Sequence, residues 1–351
     1  MIIWNIPYNR SELTYYFLGL VFIAHKLGLE YRIFPNNSNE NEFPIHSTFD
    51  AFAFPYLHQS ENFNRFLRYR GLIFTSNLLD QDVIEECKIK KVKKCFIMTY
   101  SMWNNSEKRE LFTKHNIEYD FTICTSTTLY EILQNYKLDS KVVLLPYLPP
   151  YLPSLHNPEV HNPEIIGIFM GYTQQKSEVH QLLKFSDQIY NKLNKAIILY
   201  FPNPIAKNIE TLVNKSTWGR EDKIDAIYNQ SFDYAQYNLT FCDVMIYPFP
   251  YIQTELPIAA LLAGGIPVVM PNLPLCSDFC KNNYNVLLAP LKTTKLDHEL
   301  INLTSKLIYD NTIYNNLKSN LSPDKQDKTW YSPALLEWKD FYINQLEYAI
   351  F

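Results

Sequence analysis

Two α/β domains, each built on a parallel sheet, are what this sequence predicts, and three observations predict it. Short apolar runs alternate along the chain with stretches of helical periodicity, the rhythm of strand–helix–strand units. The length of 351 residues is too great for one ordinary core and suits two of roughly 150 residues each. Near the middle stand Pro146, Pro149, Pro150, Pro153, Pro158 and Pro163. Proline at that density removes backbone donors and stiffens the chain, which marks a linker. The boundary therefore falls here, giving a first domain over 1–150, a second over 151–330 and a final segment over 331–351.

In chain order, Ile2 to Ile6 reads as a strand ended by Pro7. The polar turn Asn9-Arg10-Ser11-Glu12 follows, with Ser11 as N-cap of an apolar helix running to Leu29. Tyr31 to Phe34 is the next strand, and the Asn- and Glu-rich stretch 36–47 is a loop. Further strands are expected at 51–54, 72–75, 95–99, 121–125 and 142–145, with helices near 59–69, 80–90, 106–115 and 127–136 between them. The second half repeats the pattern, with strands at 165–170, 196–200, 244–247, 267–270 and 286–288. Its helices fall at 177–193, 205–214, 231–241, 257–263, 275–282, 296–308 and 310–318. Leu335, Trp338, Phe341, Tyr342 and Leu346 form one apolar face of a last helix over 334–349.

Composition narrows the function classes. A net charge of −4 leaves no excess of Lys and Arg to displace counterions, which argues against general nucleic-acid binding. The local run Lys88, Lys90, Lys91, Lys93, Lys94 reads first as the solvated end of a helix, and second as a contact for anionic headgroups or a phosphate-bearing acceptor. Cys95, Cys124 and Cys242 lie in or beside apolar runs, and no C-x-x-C pair occurs among the six cysteines. Thiols so placed act as small hydrophobes, so neither a metal site nor a disulfide framework is expected, in keeping with a reducing, cytoplasmic setting. Met1 leads straight into Ile2-Ile3-Trp4 without a basic n-region, so no secretory signal is expected. The apolar stretch Leu13 to Leu29 contains His25 and Lys26 and suits a buried helix better than a membrane anchor.

The stretch from Cys242 to Val269 carries the functional argument. It reads as strand (to Pro248), loop, helix (from Pro257), a Gly264-Gly265 turn and a second strand. Such a loop places the free N–H groups of a helix N-terminus at the carboxyl edge of a parallel sheet, where phosphate-bearing ligands bind. Pro257 near the helix start sacrifices no hydrogen bond, because its missing N–H would have no helical partner there.

Here the sequence resembles the C-terminal domain of GT-B glycosyltransferases, in particular glycosyltransferase family 4. That family's run is Asp-(Val/Ala)-(apolar strand)-Pro-Ser, then Glu-Gly-Phe-Gly-Leu-Pro-x-x-Glu-Ala-x-Ala-x-Gly-x-Pro-Val-Val. It is matched by Asp243, Pro248, Leu256, Pro257, Ala263, Gly265, Pro267, Val268 and Val269. Asn285 to Pro290 is similar to the family's Asn-Gly-Leu-Leu-Val-Pro, and Ile166 to Gly171 with Lys176 resembles its diphosphate-holding segment. The match covers about 120 residues of the second half. The two family glutamates fall on Ile252 and Ala260, the clamp arginine on Tyr172, and the N-terminal Gly-rich loop on Asn9 and Arg10; the family's histidine falls near Tyr100.

The resemblance implies a GT-B fold, two Rossmann-like domains facing across a cleft with the C-terminal helix crossing back to the N-terminal domain. It implies transfer of a sugar from a UDP- or GDP-sugar to a glycan, lipid-linked or other acceptor hydroxyl, with retention and without a metal or other cofactor. Donor-site residues implied are Gly171, Tyr172, Thr173, Lys176, Pro248, Tyr251, Thr254, Glu255, Leu256 and Pro257, with Glu255 and Lys176 in catalytic roles. Asn9 and Arg10 would serve the acceptor or phosphate side. Two readings stay open for Lys176, a diphosphate ligand or a first-turn surface lysine, and two for Glu255, a donor-hydroxyl ligand or a negative charge at a helix N-terminus. Two other functions fit the same fold: a catalytically silent subunit supporting a partner transferase, favoured by the missing glutamates, and a nucleotide-sugar epimerase, which needs a cleft histidine. Docking at the inner membrane face is compatible with either transferase role.

Overall fold

The computed structural model describes residues 1–7, 12–35, 67–68, 70–148, 163–171, 175–201, 206–219, 223–228, 242–252, 254–291 and 295–346. The strand expected at 51–54, the helix at 231–241 and the cap Ser11 lie outside them, as does the helix expected at 59–69 apart from residues 67–68, which are not helical.

The first half forms β1 (Ile2–Ile6), α1 (Glu12–Lys26), β2 (Tyr31–Pro35), β3 (Leu72–Thr75), α2 (Gln81–Ile89) and β4 (Lys93–Ile97). It continues through α3 (Tyr100–Asn104), α4 (Ser106–His115), β5 (Phe121–Cys124), α5 (Thr127–Asn135) and β6 (Lys141–Leu144). Its six strands are all parallel, in the order β2-β1-β3-β4-β5-β6. Every residue of β3 and β5 is buried, as strands covered on both faces require.

The second half forms β7 (Ile165–Phe169), α6 (Lys176–Leu193), β8 (Ala196–Tyr200), α7 (Lys207–Thr217), β9 (Ile224–Ile227) and β10 (Val244–Ile246). Then come α8 (Leu256–Ala263), β11 (Val268–Pro271), β12 (Val286–Ala289), α9 (Leu296–Tyr309) and α10 (Asn311–Asn320). The sheet order β12-β11-β10-β7-β8-β9 is again wholly parallel and reverses direction between β7 and β10. That is the doubly wound order of dinucleotide-binding sheets.

Several elements depart from the sequence expectation, the short helical turns over 323–331 among them. β9 was not expected: Ile-Asp-Ala-Ile is short, carries an acid and lies at the sheet edge, where only pairing to β8 reveals it. The helix expected at 275–282 is a single 3-10 turn, Pro274–Cys276, and an extra short helix, α3, opens after Thr99, whose Oγ1 accepts the Met102 N–H at 3.3 Å.

The chain ends with α11 (Pro323–Gln326), a π-helical turn (Asp327–Tyr331) and α12 (Ser332–Gln345). α12 returns to the first sheet. Trp338 is fully buried, and its Nε1 donates to the Pro146 carbonyl at 2.9 Å; Trp330 Nε1 donates to the Tyr147 carbonyl at 3.2 Å. Phe341 meets Phe121 edge-on at 5.5 Å, and Trp338 and Tyr342 both pack on Phe74, which stacks on Trp4 at 4.4 Å. Gly19 in α1 makes room for this seam, since a Cβ there would stand 2.7 Å from the Tyr147 hydroxyl and 3.1 Å from the Leu148 carbonyl. The lysine run is partly consumed by structure: Lys94 is buried against Asp120 at 3.1 Å, Lys90 pairs with Glu86 at 2.7 Å, and Lys93 donates to Gln345 at 3.0 Å. All six cysteines are buried and reduced.

Trp338→Ala leaves a cavity between α12 and β3 and orphans the Pro146 carbonyl. It is expected to lower unfolding free energy by about 3–5 kcal/mol, and Trp338→Phe by less, as read from urea denaturation.

Candidate functional site

In an open parallel sheet a ligand site forms where two neighbouring strands send their connections to opposite faces. In the second sheet this is the carboxyl end of β7 and β10. Met170 and Gly171 leave β7, and Tyr247 to Glu255 leave β10 and enter α8.

The β10 loop is stiffened from within. Pro248 and Pro250 restrict it, and the Tyr247 hydroxyl donates to the Tyr251 carbonyl at 2.9 Å. Phe169 stacks on Tyr247 at 5.1 Å, Tyr247 meets Phe249 at 5.7 Å, and Phe249 meets Tyr251 at 5.7 Å. This aromatic row runs from β7 to Tyr251, which is half exposed. Pro248 and Tyr251 line a groove of about 540 Å³ against Glu178 and Lys184 of α6, with Asp297 on a further wall.

All eight residues of α8 are buried, with Pro257 in its first turn. The first-turn N–H groups of Leu256 and Ile258 have no partner inside the helix, and the Ala259 N–H is the first to bond, to the Glu255 carbonyl at 3.0 Å. At the other end Gly265 takes a φ of 71° and turns the chain into β11. Gln326 Nε2 donates to the Leu262 carbonyl at 2.9 Å, and Lys318 Nζ donates to the Gly265 carbonyl at 3.3 Å. Desolvation lowers the Lys318 pKa.

Glu255 is 2 % exposed and points across the seam between the two halves rather than into open space. Its Oε1 accepts the Thr125 hydroxyl at 2.6 Å, and the Thr125 oxygen lies 2.5 Å from the Tyr16 hydroxyl. Burial pushes the Glu255 carboxyl up to about 7; hydrogen bonds from Thr125 and from its own backbone N–H oppose the increase, and Asp278 adds to it. Two further bonds cross the seam beside it: the Thr127 N–H, opening α5, donates to Asp278 at 2.8 Å, and Thr128 Oγ1 donates to the Pro274 carbonyl at 2.9 Å.

The remaining sequence-derived residues are placed as follows. Lys176 is exposed and opens α6, behind a Gln175 N–H that donates to Glu178 at 3.2 Å. Thr254 and Leu256 are buried beside Glu255. Asn9, Arg10, Tyr172 and Thr173 lie outside the described residues, next to Pro7 and Gly171. Ile252 and Ala260, at the family's glutamate positions, are 5 % and 3 % exposed and belong to the apolar core. Sequence reasoning missed Tyr16, Thr125 and Asp278, because nothing in their local patterns announces a contact with Glu255 or α5. It also passed over Asp80-Gln81-Asp82, two exposed carboxylates at the start of α2. Among the described residues no group of three or more His, Cys, Asp or Glu side chains is arranged to hold a metal ion, and no helix is long and apolar enough to cross a membrane.

The Glu255 carboxyl links stability to pH. Its folded-state value of about 7 lies above the ordinary 4.5, so between these values the folded chain holds a proton that the unfolded chain has lost. Stability therefore falls as pH rises through that window and levels above it, by up to about 3 kcal/mol. Urea unfolding at pH 5 and pH 7.5 is expected to show this loss in the wild type and not in Glu255→Gln. Equal slopes in both proteins would mean that the carboxyl ionises normally.

No family model matches the sequence. No curated protein matches it either. Solved structures do match. The pneumococcal O-GlcNAc transferase GtfA, in complex with UDP and GlcNAc, superimposes with a TM-score of 0.71 at 11% identity, over 99% of both chains. Anabaena Alr3699/HepE, in complex with UDP and glucose, gives 0.63 at 12% identity over 97% of this chain and 98% of its own. Sucrose-phosphate synthase from Thermosynechococcus elongatus gives 0.66 at 14% identity over 98% of each. With two doubly wound sheets, a C-terminal helix returned to the first and near-complete mutual coverage with these structures, the chain has the GT-B fold.

Proposed function

We propose that the protein is a glycosyltransferase that binds a UDP-sugar at the carboxyl edge of the second sheet and transfers the sugar to a hydroxyl of a glycan, lipid-linked or other acceptor. The observation that carries this reading is the N-terminus of α8 at the β7/β10 switch point, in a fold whose solved neighbours hold UDP with a sugar. UDP is favoured over GDP for the same reason.

In the reaction the bond from the anomeric carbon to the diphosphate breaks and a bond to the acceptor oxygen forms. The barrier lies largely in placing negative charge on the departing diphosphate. First-turn amides of α8 and the ammonium of Lys176 meet that charge, so the leaving group needs no metal. Tyr172 and Thr173 are assigned to the same anion and Asn9 and Arg10 to the acceptor or phosphate side, while Pro248, Tyr251 and Thr254 shape the loop around the donor. Retention of configuration follows the family resemblance, and a cytoplasmic setting at the inner membrane face suits a lipid-linked acceptor.

A thermal-shift series with UDP-glucose, UDP-GlcNAc, GDP-mannose and CMP tests the reading. A UDP-sugar at a hundredfold excess over its Kd should stabilise the protein by about 2.7 kcal/mol. Lys176→Ala should weaken that ligand roughly tenfold, the loss of one charge-assisted hydrogen bond, without lowering the melting temperature of the free protein. Wild-type affinity in the variant would remove Lys176 from the site.

A second reading, a silent subunit supporting a partner transferase, is favoured by one observation: Ile252 and Ala260 put apolar side chains at both marker-glutamate positions. Release of UDP from a UDP-sugar by the purified protein excludes it.

A further inference from the structure

The seam between the two sheets contains a directed chain of hydroxyls. Thr125 has a single hydroxyl hydrogen and gives it to Glu255 Oε1 at 2.6 Å, so at the 2.5 Å contact with Tyr16 it is the tyrosine that donates. The chain therefore runs from Tyr16 on α1, through Thr125 at the end of β5, to the residue immediately before α8. All three side chains are buried, at 0 %, 4 % and 2 % exposure. Among the described residues the ionisable groups facing Glu255 are Tyr16 from α1, Cys124 from β5, and Cys276 and Asp278 from the segment after β11. Among the described residues no Lys, Arg or His forms an ion pair with it.

A carboxylate at this place would oppose the site it borders. Ionised, it would set a negative charge beside the α8 amides that are to receive a diphosphate, inside a low-dielectric seam where charges are poorly screened. Protonated, it keeps its hydrogen bond from Thr125 and removes that repulsion.

We propose that Tyr16 and Thr125 are positioning residues for the donor site, holding a protonated Glu255 that locks the α8 N-terminus to the first domain, and that binding of the donor diphosphate draws a proton onto this carboxyl. The inference rests on the donor-site reading above. It follows that the neutral seam and the bound anion stabilise one another: each favours the same protonation state. Because burial already brings the carboxyl to about 7, the effect falls in an accessible pH range.

Calorimetric titration with UDP-glucose and UDP-GlcNAc, in buffers of different ionisation enthalpy, counts the protons taken up. These donors suit the purpose because their diphosphate is esterified at both ends and does not titrate between pH 6 and 8. The wild type is expected to take up a substantial fraction of one proton at pH 7 and to lose roughly tenfold in affinity from pH 6 to pH 8, as the protonated fraction falls from about nine-tenths to about one-tenth. Glu255→Gln should bind with no such pH dependence and with at least wild-type affinity at pH 8. Thr125→Val removes the larger of the two hydrogen bonds that stabilise the ionised form, so the affinity loss should move to higher pH; Thr125→Ser should restore the wild-type profile.

Tight binding by the wild type without proton uptake would overturn the inference, and that measurement needs no variant. So would a tenfold loss that persists in Glu255→Gln, or a Thr125→Ser profile that matches Thr125→Val. Absence of UDP-sugar binding at every pH would instead overturn the donor-site reading. The pH slope of unfolding in wild type against Thr125→Val then decides the protonated seam by itself: a steep section shifted to higher pH in the variant supports it, and identical slopes refute it.

Discussion

A carboxyl group buried between two domains, with no Lys, Arg or His among the described residues in an ion pair with it, is the constraint on which this structure turns. Taking an ionised carboxylate out of water costs several kcal/mol, and among the described residues no ion pair offsets this at Glu255. Two physical solutions remain, hydrogen bonding and protonation, and the seam uses the first through Thr125 and favours the second through burial. The arrangement is possible only while both sheets stay in register with each other. Thr125 comes from the first, Glu255 from the second, and Asp278 with Thr127 and Thr128 with Pro274 repeat the crossing nearby.

The same constraint places α8. This helix has no polar face at all, so it cannot sit at a surface and must be enclosed by both domains. Its N-terminal end is oriented by Glu255, and its C-terminal end by the amide of Gln326 and the ammonium of Lys318, both from the segment that follows α9. That segment then returns along α12 to the first sheet, where Trp338 and Trp330 bond to carbonyls at the start of the linker. The helix whose amides face the proposed diphosphate is thus fixed by contacts spread over the whole chain.

Much of this was legible in the residues. Strand runs such as Ile2 to Ile6 and Ala196 to Tyr200 are continuous enough to name themselves, and α4 over Ser106–His115 fell where its pattern placed it. The strand–loop–helix–Gly–strand order from Val244 to Pro271 was likewise plain, with Pro257 and Gly265 marking the two ends of α8. β9 was not legible: its four residues form a strand only because β8 offers a free edge.

The site divides along the same line. Local sequence determined the two-domain α/β class, the position of the switch-point loop and the helix N-terminus, because backbone periodicity and turn chemistry act over a few residues. It could not determine where the Glu255 side chain points. That depends on Tyr16 and Thr125, 239 and 130 positions away in the chain, and their meeting is a product of how two sheets pack. Burial, and with it the protonation of the carboxyl, is a property of the closed seam and has no counterpart in the order of residues.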